Sequence, residues 1–291
     1  MMNIALIGCG KMGSALATRI IQAGLPLIVH NRTPEKCQPL VDLGAELANS
    51  LQDAVKNADI VITSLYDDNS VLETTQHFVK CLKPGTIHMS TSTVSPSTSN
   101  LLQKLHEEKA SHYIAANVLG VPKAALAGKL TTLVAGNNDA IEKCRFIFET
   151  YSEKILVIGK NAGDANVIKI SLNYIILTSL ELISELYVYS ERNGLNLDII
   201  HDFLMNFYAH PAIKLYIEKI KKRDFDQVNF DMRGGIKDLN IFQKSFADSG
   251  VVPELANIVC GRMIAALAQG LEKKDWSAIY EVVRRESGLE K

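Results

Sequence analysis

One stretch near the start of the chain, Asn3 to Thr33 (NIALIGCGKMGSALATRIIQAGLPLIVHNRT), restricts the fold more than any other. A short apolar run, Ile4 to Ile7, reads as a buried strand and runs straight into Gly8-Cys9-Gly10-Lys11-Met12-Gly13. Apolar residues then recur at Met12, Leu16, Ile20 and Ala23, and Gly24 stops the helix they predict. A second strand, Leu27 to Val29, ends in His30-Asn31-Arg32-Thr33. Strand, glycine turn, helix and strand in that order build a dinucleotide-binding unit. Gly8 makes the tight turn, Gly10 lets backbone approach a pyrophosphate, and Gly13 lets helix pack on strand. The first turn of the helix offers its unpaired N–H groups to the phosphate charge. A G-x-G-x-x-G alone is weak, because glycine turns also occur in α/β proteins that bind nothing there. Here the flanking elements supply the context that the motif requires.

The end of the second strand carries more information. An acidic residue there would bind the ribose 2′-hydroxyl of NAD, whereas this chain has Asn31, Arg32 and Thr33. No carboxylate repels a 2′-phosphate, and a guanidinium stands ready to pair with it. NADP(H) is therefore the expected cofactor, although a solvated loop charge would give the same Arg32. The expected cofactor contacts are Gly8, Cys9, Gly10, Lys11, Met12, Gly13, Asn31, Arg32 and Thr33.

Length and charge narrow the class. With 291 residues there is room for two domains, each with its own core. A net charge of −1, with both signs mixed, gives no basic field for nucleic acid. The densest basic run, Lys219 to Arg223, reads as a solvated helix end. Five cysteines without C-x-x-C pairing or metal spacing read as reduced thiols in a cytoplasmic protein, with no metal expected. The N-terminal apolar run is too short for a signal peptide. The most apolar segment, Ile168 to Tyr189, contains Lys169, Glu181 and Glu185, and is expected to be a buried helix rather than a membrane span.

Along the chain, a helix is expected from Pro34 to Leu43 with Thr33 as its N-cap, and another from Ser50 to Asn57. Asp59 to Leu65 is apolar enough for a parallel strand covered on both faces. Its carboxyl end, Leu65-Tyr66, falls where a doubly wound sheet binds cofactor. A helix over Val71 to Cys81 and a strand over Thr86 to Ser90 follow. Strands are also predicted at His112 to Ala116, Leu130 to Ala135 and Ile155 to Ile158. After Gly159 only helical patterns remain: Gly163 to Asn193, Leu197 to Phe207, Ala212 to Lys222, Lys237 to Ser249 and Pro253 to Gly270. The expected class is α/β: a doubly wound (Rossmann) domain over 1–162, then a long connecting helix and an all-helical domain over 163–291.

Two places could carry chemistry. The hydroxyl-rich tract Ser90 to Thr98 follows a strand's carboxyl end, where hydroxyls could bind a carboxylate or a nicotinamide amide. Ordinary capping explains part of it, since Ser95 before Pro96 suits a helix start. On the long helix, Lys169 and Asn173 are four residues apart in an apolar setting and share one face. A lysine there either snorkels or sits in a polar cavity, where desolvation would bring its pKa towards working pH and suit it to proton transfer. Lys237-Asp238, after Gly234-Gly235, reads as a helix head, with the Asp complementing the dipole.

Together these motifs resemble the β-hydroxyacid dehydrogenase family, the group of 3-hydroxyisobutyrate dehydrogenase and the tartronate semialdehyde and glyoxylate reductases, related to 6-phosphogluconate dehydrogenase. The family's G-x-G-x-M-G matches Gly8 to Gly13, and the N-R-T of its NADP-preferring members matches Asn31 to Thr33. Its S-T-V-S-P matches Ser92 to Pro96, its G-x-x-x-x-x-K-x-x-x-N matches Gly163, Lys169 and Asn173, and its K-D matches Lys237 and Asp238. The resemblance implies an NADP(H)-dependent oxidoreductase in which Lys169 is the acid/base. It implies that Thr93 lies near nicotinamide or substrate, that Asn173 orients substrate, and that Lys237 contributes to both sites.

One stretch departs from the pattern. The family's D-A-P-V-S-G-G aligns with Ala115-Ala116-Asn117-Val118-Leu119-Gly120-Val121, so Leu119 replaces a carboxylate-gripping serine and Val121 a glycine. Pro122 has no N–H to offer. Only Gly120 keeps the pattern, and the expected substrate set is Thr93, Gly120, Asn173 and Lys237. The G-x-P arrangement resembles less characterised branches of the superfamily and, in part, imine reductases, which usually lack the lysine. Arg233 could restore an anion anchor, and Phe207, Tyr208 and His210 suggest a more apolar pocket. The expected function is hydride transfer between nicotinamide and a small carbonyl or hydroxy compound. The alternatives are an imine reductase and a non-catalytic NADP(H)-binding protein. Exposed apolar positions on the long helix point to a homodimer or higher homo-oligomer; neither nucleic acid nor membrane is an expected partner.

Overall fold

The computed structural model describes residues 2–208, 210–248, 250 and 252–289. The expected limits at residues 1 and 291, and the helix end at Ser249, lie outside those residues. Contacts divide the chain into two compact units, Met1–Lys169 and Ile170–Lys291.

The first unit carries one sheet of β1 (Ile4–Ile7), β2 (Leu27–His30), β3 (Glu46–Leu47), β4 (Ile60–Thr63), β5 (Ile87–Ser90), β6 (His112–Leu119), β7 (Leu130–Gly136) and β8 (Ser152–Gly159). Their order across the sheet is β3-β2-β1-β4-β5-β6-β7-β8. All neighbours pair in parallel except β6 and β7. Between the strands run α1 (Lys11–Gln22), α2 (Gln38–Val41), α3 (Leu51–Val55), α4 (Asp68–Phe78), α5 (Pro96–Glu107), α6 (Pro122–Leu126) and α7 (Asn138–Tyr151). Every residue of β1, β4 and β5 is buried, because helices cover both faces of the sheet. Leu6, Leu16, Ile20, Val29 and Ile62 pack on one face, and Ala5, Val61 and Phe78 on the other. Leu16 and Ile20 are wholly buried, and each such side chain stabilises the unit by about 1.5–3 kcal/mol. Strand order reverses at β1, which places the binding crevice at the carboxyl ends of β1 and β4.

Local chemistry explains where the elements depart from expectation. The expected helix from Pro34 to Leu43 is a 3₁₀ turn, Pro34–Cys37, followed by the four residues of α2. Pro39 has no N–H to give to the carbonyl four residues back, and Gln38 N–H donates to the Glu35 carbonyl in a 3₁₀ bond instead, so no continuous α-helix forms; Thr33 makes no side-chain cap bond. Strand β6 runs on through Asn117 to Leu119 because β7 pairs with it as far as Leu119–Thr131. Helix α7 has an Asn137 cap and buried residues at Ala140, Ile141, Cys144, Ile147 and Phe148; that amphipathic spacing was readable in the sequence.

Beneath β4 and β5 lies a buried polar chain. His106 Nδ1 lies 2.8 Å from the Leu102 carbonyl, His106 Nε2 lies 3.2 Å from His88 Nδ1, and His88 Nε2 lies 2.9 Å from Thr63 Oγ1. A carbonyl only accepts, so His106 Nδ1 must donate. Its Nε2 then accepts from His88 Nδ1–H, and Thr63 donates to His88 Nε2. The direction of every bond follows from one carbonyl.

Helix α8 (Gly163–Arg192) begins in the first unit and continues in the second, which adds α9 (Leu197–Phe207), α10 (Pro211–Lys222), α11 (Met232–Asp248), α12 (Glu254–Ala268) and α13 (Ile279–Glu286). Leu177, Leu180, Tyr187, Ile217, Phe242, Met263 and Trp276 are among the residues of its core. By length and composition alone, α8 could cross a membrane, and 44% of its most apolar stretch is buried. Within the second unit, buried Glu181 of this helix takes a 2.6 Å bond on Oε1 from Arg262 of α12. Lys219 departs from the solvated helix end expected of Lys219 to Arg223. It is buried, pairs with Asp275 at 3.8 Å, and donates to the carbonyls of Asp224 and Gln227 at 2.9 and 2.5 Å.

Candidate functional site

The turn between β1 and α1 needs glycine at positions 8 and 13 for different reasons. Gly8 has φ +102°, and a Cβ there would lie 2.4 Å from the Ser64 carbonyl oxygen. A Cβ on Gly13 would lie 2.0 Å from the Gly8 oxygen, so α1 could not approach the turn. A Cβ on Gly10 would meet nothing within 4 Å, because that side of the turn faces open space. Helix α1 starts there without a side-chain cap and without an acidic residue in its first turn. By contrast α4, α5 and α7 are capped by Asp67, Ser95 and Asn137. An uncapped, positively polarised helix end facing open space is chemically suited to the pyrophosphate of a dinucleotide.

The loop after β2 is tied to that turn. Cys9 N–H donates to Asn31 Oδ1 at 3.0 Å, and Asn31 Nδ2 donates to the Thr33 carbonyl at 2.9 Å. Arg32 is exposed and enters no ion pair among the described residues. Partial burial holds His30 below the ordinary histidine pKa, so at neutral pH the positive charge of this loop belongs to Arg32. Cys9 is buried with its sulfur 3.4 Å from that of Cys37, and burial pushes its thiol pKa up. Its backbone N–H, not its thiol, serves the turn. Lys11 is exposed and Met12 half-buried.

Neighbouring strand ends extend the site. Leu65 N–H donates to Ser92 Oγ at 2.8 Å, while Tyr66 is exposed. In the hydroxyl tract, Thr91 bonds the Thr63 carbonyl and Ser95 caps α5 while bonding Asp68 at 2.6 Å. Thr93 is half-buried and makes no side-chain hydrogen bond among the described residues. The expectation of capping and the expectation of a binding hydroxyl thus fall on different residues.

Helix α5 also fixes the start of α8. Ala162 N–H donates to Gln103 Oε1 at 2.7 Å and Gly163 N–H to Asn100 Oδ1 at 2.9 Å. Gly163 must be glycine, because a Cβ would lie 2.7 Å from the Pro96 oxygen. One turn further, buried Asn166 donates to Ser99 Oγ at 2.7 Å. Lys169 follows three residues later and is half-buried. Asn100, Gln103 and Asn166 anchor the start of α8, and of these only Asn166, polar in an apolar helix, stands out in the sequence.

In the second unit Asn173 is buried, and its Nδ2 donates to Asp238 Oδ2 at 2.9 Å. Asp238 also pairs with Lys237 at 2.5 Å. Asp238 therefore holds both predicted residues, and it does so from the second turn of α11, not from a helix head. The helix starts at Met232 and passes through Gly234 and Gly235 because Phe230 and Met263 occupy the space their side chains would need. Arg233 is exposed, His210 caps α10, and Phe207 lies exposed against Phe203. At the end of β6, Gly120 has φ +132° and a Cβ would strike Leu130 at 2.6 Å, which accounts for the glycine on structural grounds alone. Among the described residues there is no cluster of His, Cys, Asp and Glu that could hold a metal.

Fold and glycine turn define a dinucleotide-binding α/β protein with a helical second unit. Residues 3–159 match the family model of the NAD-binding domain of 6-phosphogluconate dehydrogenase, and residues 163–283 that of the NAD-binding region of NADP-dependent 3-hydroxyisobutyrate dehydrogenase. An uncharacterised oxidoreductase of Bacillus subtilis is 32% identical over 97% of this chain and 100% of its own length. An NAD-dependent L-serine dehydrogenase of Pseudomonas aeruginosa is 27% identical over 97% and 98%. The structure of a Mycobacterium tuberculosis 3-hydroxyisobutyrate dehydrogenase with L-serine superposes with a TM-score of 0.89 at 24% identity, covering 98% of this chain and 99% of that one. The chain belongs to the NAD(P)-dependent family of 3-hydroxyisobutyrate and 6-phosphogluconate dehydrogenases, oxidoreductases acting on a CH–OH/C=O pair.

Proposed function

We propose that the protein is an NADP(H)-dependent reductase or dehydrogenase of a small carbonyl or hydroxy compound, with Lys169 as its acid/base. The observation that carries the cofactor choice is the loop after β2. Asn31 is locked between Cys9 N–H and the Thr33 carbonyl, no carboxylate ends the strand, and Arg32 stands exposed beside it. Gly8 to Gly13, Asn31 to Thr33, Leu65, Tyr66 and Thr93 would hold the cofactor. When bound, nicotinamide supplies or accepts the hydride. Lys169 gives the proton to the oxygen of the carbonyl as hydride reaches its carbon, and takes it back in the reverse direction. Anchoring of α8 through Gly163 and Asn166 supports this role, because a proton donor must be held in place. In the first unit Thr93 and Gly120 would bind substrate; in the second, Asp238 keeps Asn173 and Lys237 in position.

Substituting Lys169 by Ala should cut carbonyl reduction by several orders of magnitude while leaving NADPH affinity intact. A mild effect on kcat would refute the acid/base role. Undiminished turnover of cyclic imines by the same variant would favour an imine reductase. Tight NADPH binding without turnover of any small carbonyl would favour a non-catalytic binding protein.

Ile175, Leu182 and Tyr189 are exposed seven residues apart on α8, and Ile199, Phe203 and Phe207 are exposed on α9. Such apolar faces support a homodimer or higher homo-oligomer built through the helical unit. Sedimentation should give at least twice the 32.0 kDa chain mass, and Tyr189→Lys should lower it; a monomeric wild type would end the proposal. The five free thiols fit a reducing compartment, and we place the protein in the cytoplasm.

A further inference from the structure

Asn117 stands in β6 where the family's stretch carries proline, and it is wholly buried. Its Nδ2 donates to the Ser92 carbonyl at 2.8 Å. A carbonyl only accepts, so the amide cannot be reversed, and Oδ1 is directed away from Ser92. That oxygen is buried and has no hydrogen-bond partner among the described residues. An amide acceptor cut off from both water and protein is an incomplete arrangement, since buried polar groups are ordinarily paired.

Its position says what could complete it. Alternation along β6 puts Asn117 on the face of Tyr113 and Ala115, whose packed cluster includes Val94 and, at its margin, Leu65 and Leu119. Ser92, whose carbonyl Asn117 holds, takes the Leu65 N–H on its hydroxyl. A methyl group of Leu65 would in turn lie 2.9 Å from a Cβ on Gly8. Asn117, Ser92, Leu65 and Gly8 thus form a row along the carboxyl ends of β6, β5, β4 and β1. In a doubly wound sheet the two halves of a dinucleotide lie on opposite sides of the point where strand order reverses. Arg32, at the end of β2, marks the adenosine side, which leaves the β4–β6 side for the nicotinamide half.

Nicotinamide carries a carboxamide with two N–H donors. We infer that Asn117 is a specificity-determining residue whose Oδ1, uncovered as the cofactor enters, accepts a hydrogen bond from that carboxamide, while its Nδ2 holds the Ser92–Thr93 turn beside it. The inference rests on the reading that this crevice binds NADP(H).

Three ligands test it by direct binding, without turnover: NADP⁺, its 3-acetylpyridine analogue, in which a methyl replaces the amide NH₂, and 2′-phospho-ADP-ribose, which lacks the ring. Wild type should bind NADP⁺ about tenfold more tightly than the acetylpyridine analogue, the worth of one hydrogen bond. Asn117→Leu should weaken NADP⁺ by about tenfold and leave the other two unchanged, so that the preference disappears. Equal losses for all three ligands would mean that Asn117 is merely structural, and would overturn the inference. So would a wild-type ratio near one, which needs no variant and decides the matter even if Asn117→Leu does not fold. Failure of the ring-less fragment to bind would sink the cofactor assignment and this inference together. Fragment binding without discrimination sinks this inference alone.

Discussion

The buried histidine pair makes stability fall in mild acid, and the size of the fall can be worked out. His106 is both buried and committed as a neutral ring: it donates to Leu102 and accepts from His88. Burial lowers its pKa from 6.5 to about 4, and burial with the neighbouring His106 ring lowers that of His88 as well. The unfolded chain takes up a proton on each ring near pH 6.5; the folded chain refuses the one on His106 until about pH 4. Across that window the unfolded state binds more protons, so stability falls as pH falls. It is fully present above about 6.5 and stops falling, for this residue, near 4. Each pH unit between the two values is worth about 1.4 kcal/mol, so His106 alone accounts for roughly 3 kcal/mol over the whole window and about 2 by pH 5.

The assay is urea unfolding followed at pH 7 and pH 5, for wild type and for His106→Gln, which offers His88 an acceptor but does not titrate. His30, whose pKa is also lowered by burial, contributes to both proteins and cancels in the difference. Paired carboxylates such as Asp59 and Glu218 are held below the usual carboxylate range and lose their contribution only at lower pH. Wild type should therefore lose about 2 kcal/mol more than the variant between pH 7 and pH 5. Equal losses would refute the argument, because they would mean that His106 is not held neutral by its surroundings.

Two further predictions concern the cofactor end. Gly13→Ala places a methyl group 2.0 Å from the Gly8 oxygen, so turn and helix must part; NADPH affinity, followed by fluorescence titration, should fall at least a hundredfold, and a loss under threefold would show the turn to be adaptable. Arg32→Ala should weaken NADPH by about 10–100-fold, the range for a hydrogen bond to a charged group, and leave NADH within a factor of three. Parallel losses for the two cofactors would refute the 2′-phosphate assignment.

What could be read in advance, and what could not, follows from how far apart the interacting residues lie in sequence. Gly8 and Gly13 are constrained by each other and by the adjoining strand end, so six consecutive residues carry the information, and the family resemblance rests on such short runs. The break at Pro39 is equally local: Pro34 signals a helix start, and Pro39 five residues on interrupts the ladder that helix would need. Other features depend on distant partners. Gly234 and Gly235 look like a helix boundary until Phe230 and Met263 are seen filling the space beside them, and only then does Lys237 move into the second turn. Asn173 could be suspected from its spacing to Lys169, but its partner Asp238 is 65 residues away, and no spacing rule reaches that far. Asn117 is the sharpest case. In sequence it is one polar residue near the end of an expected strand, easily taken for a loop residue. Only the continuation of β6 against β7 buries it, and only the Ser92 carbonyl fixes which of its two atoms is left without a partner. The cofactor end of this protein is legible because it is built from backbone and glycine, which tolerate few alternatives. The residues expected to bind substrate are side chains with distant partners, and there the sequence names candidates while the geometry shows what each one is already holding.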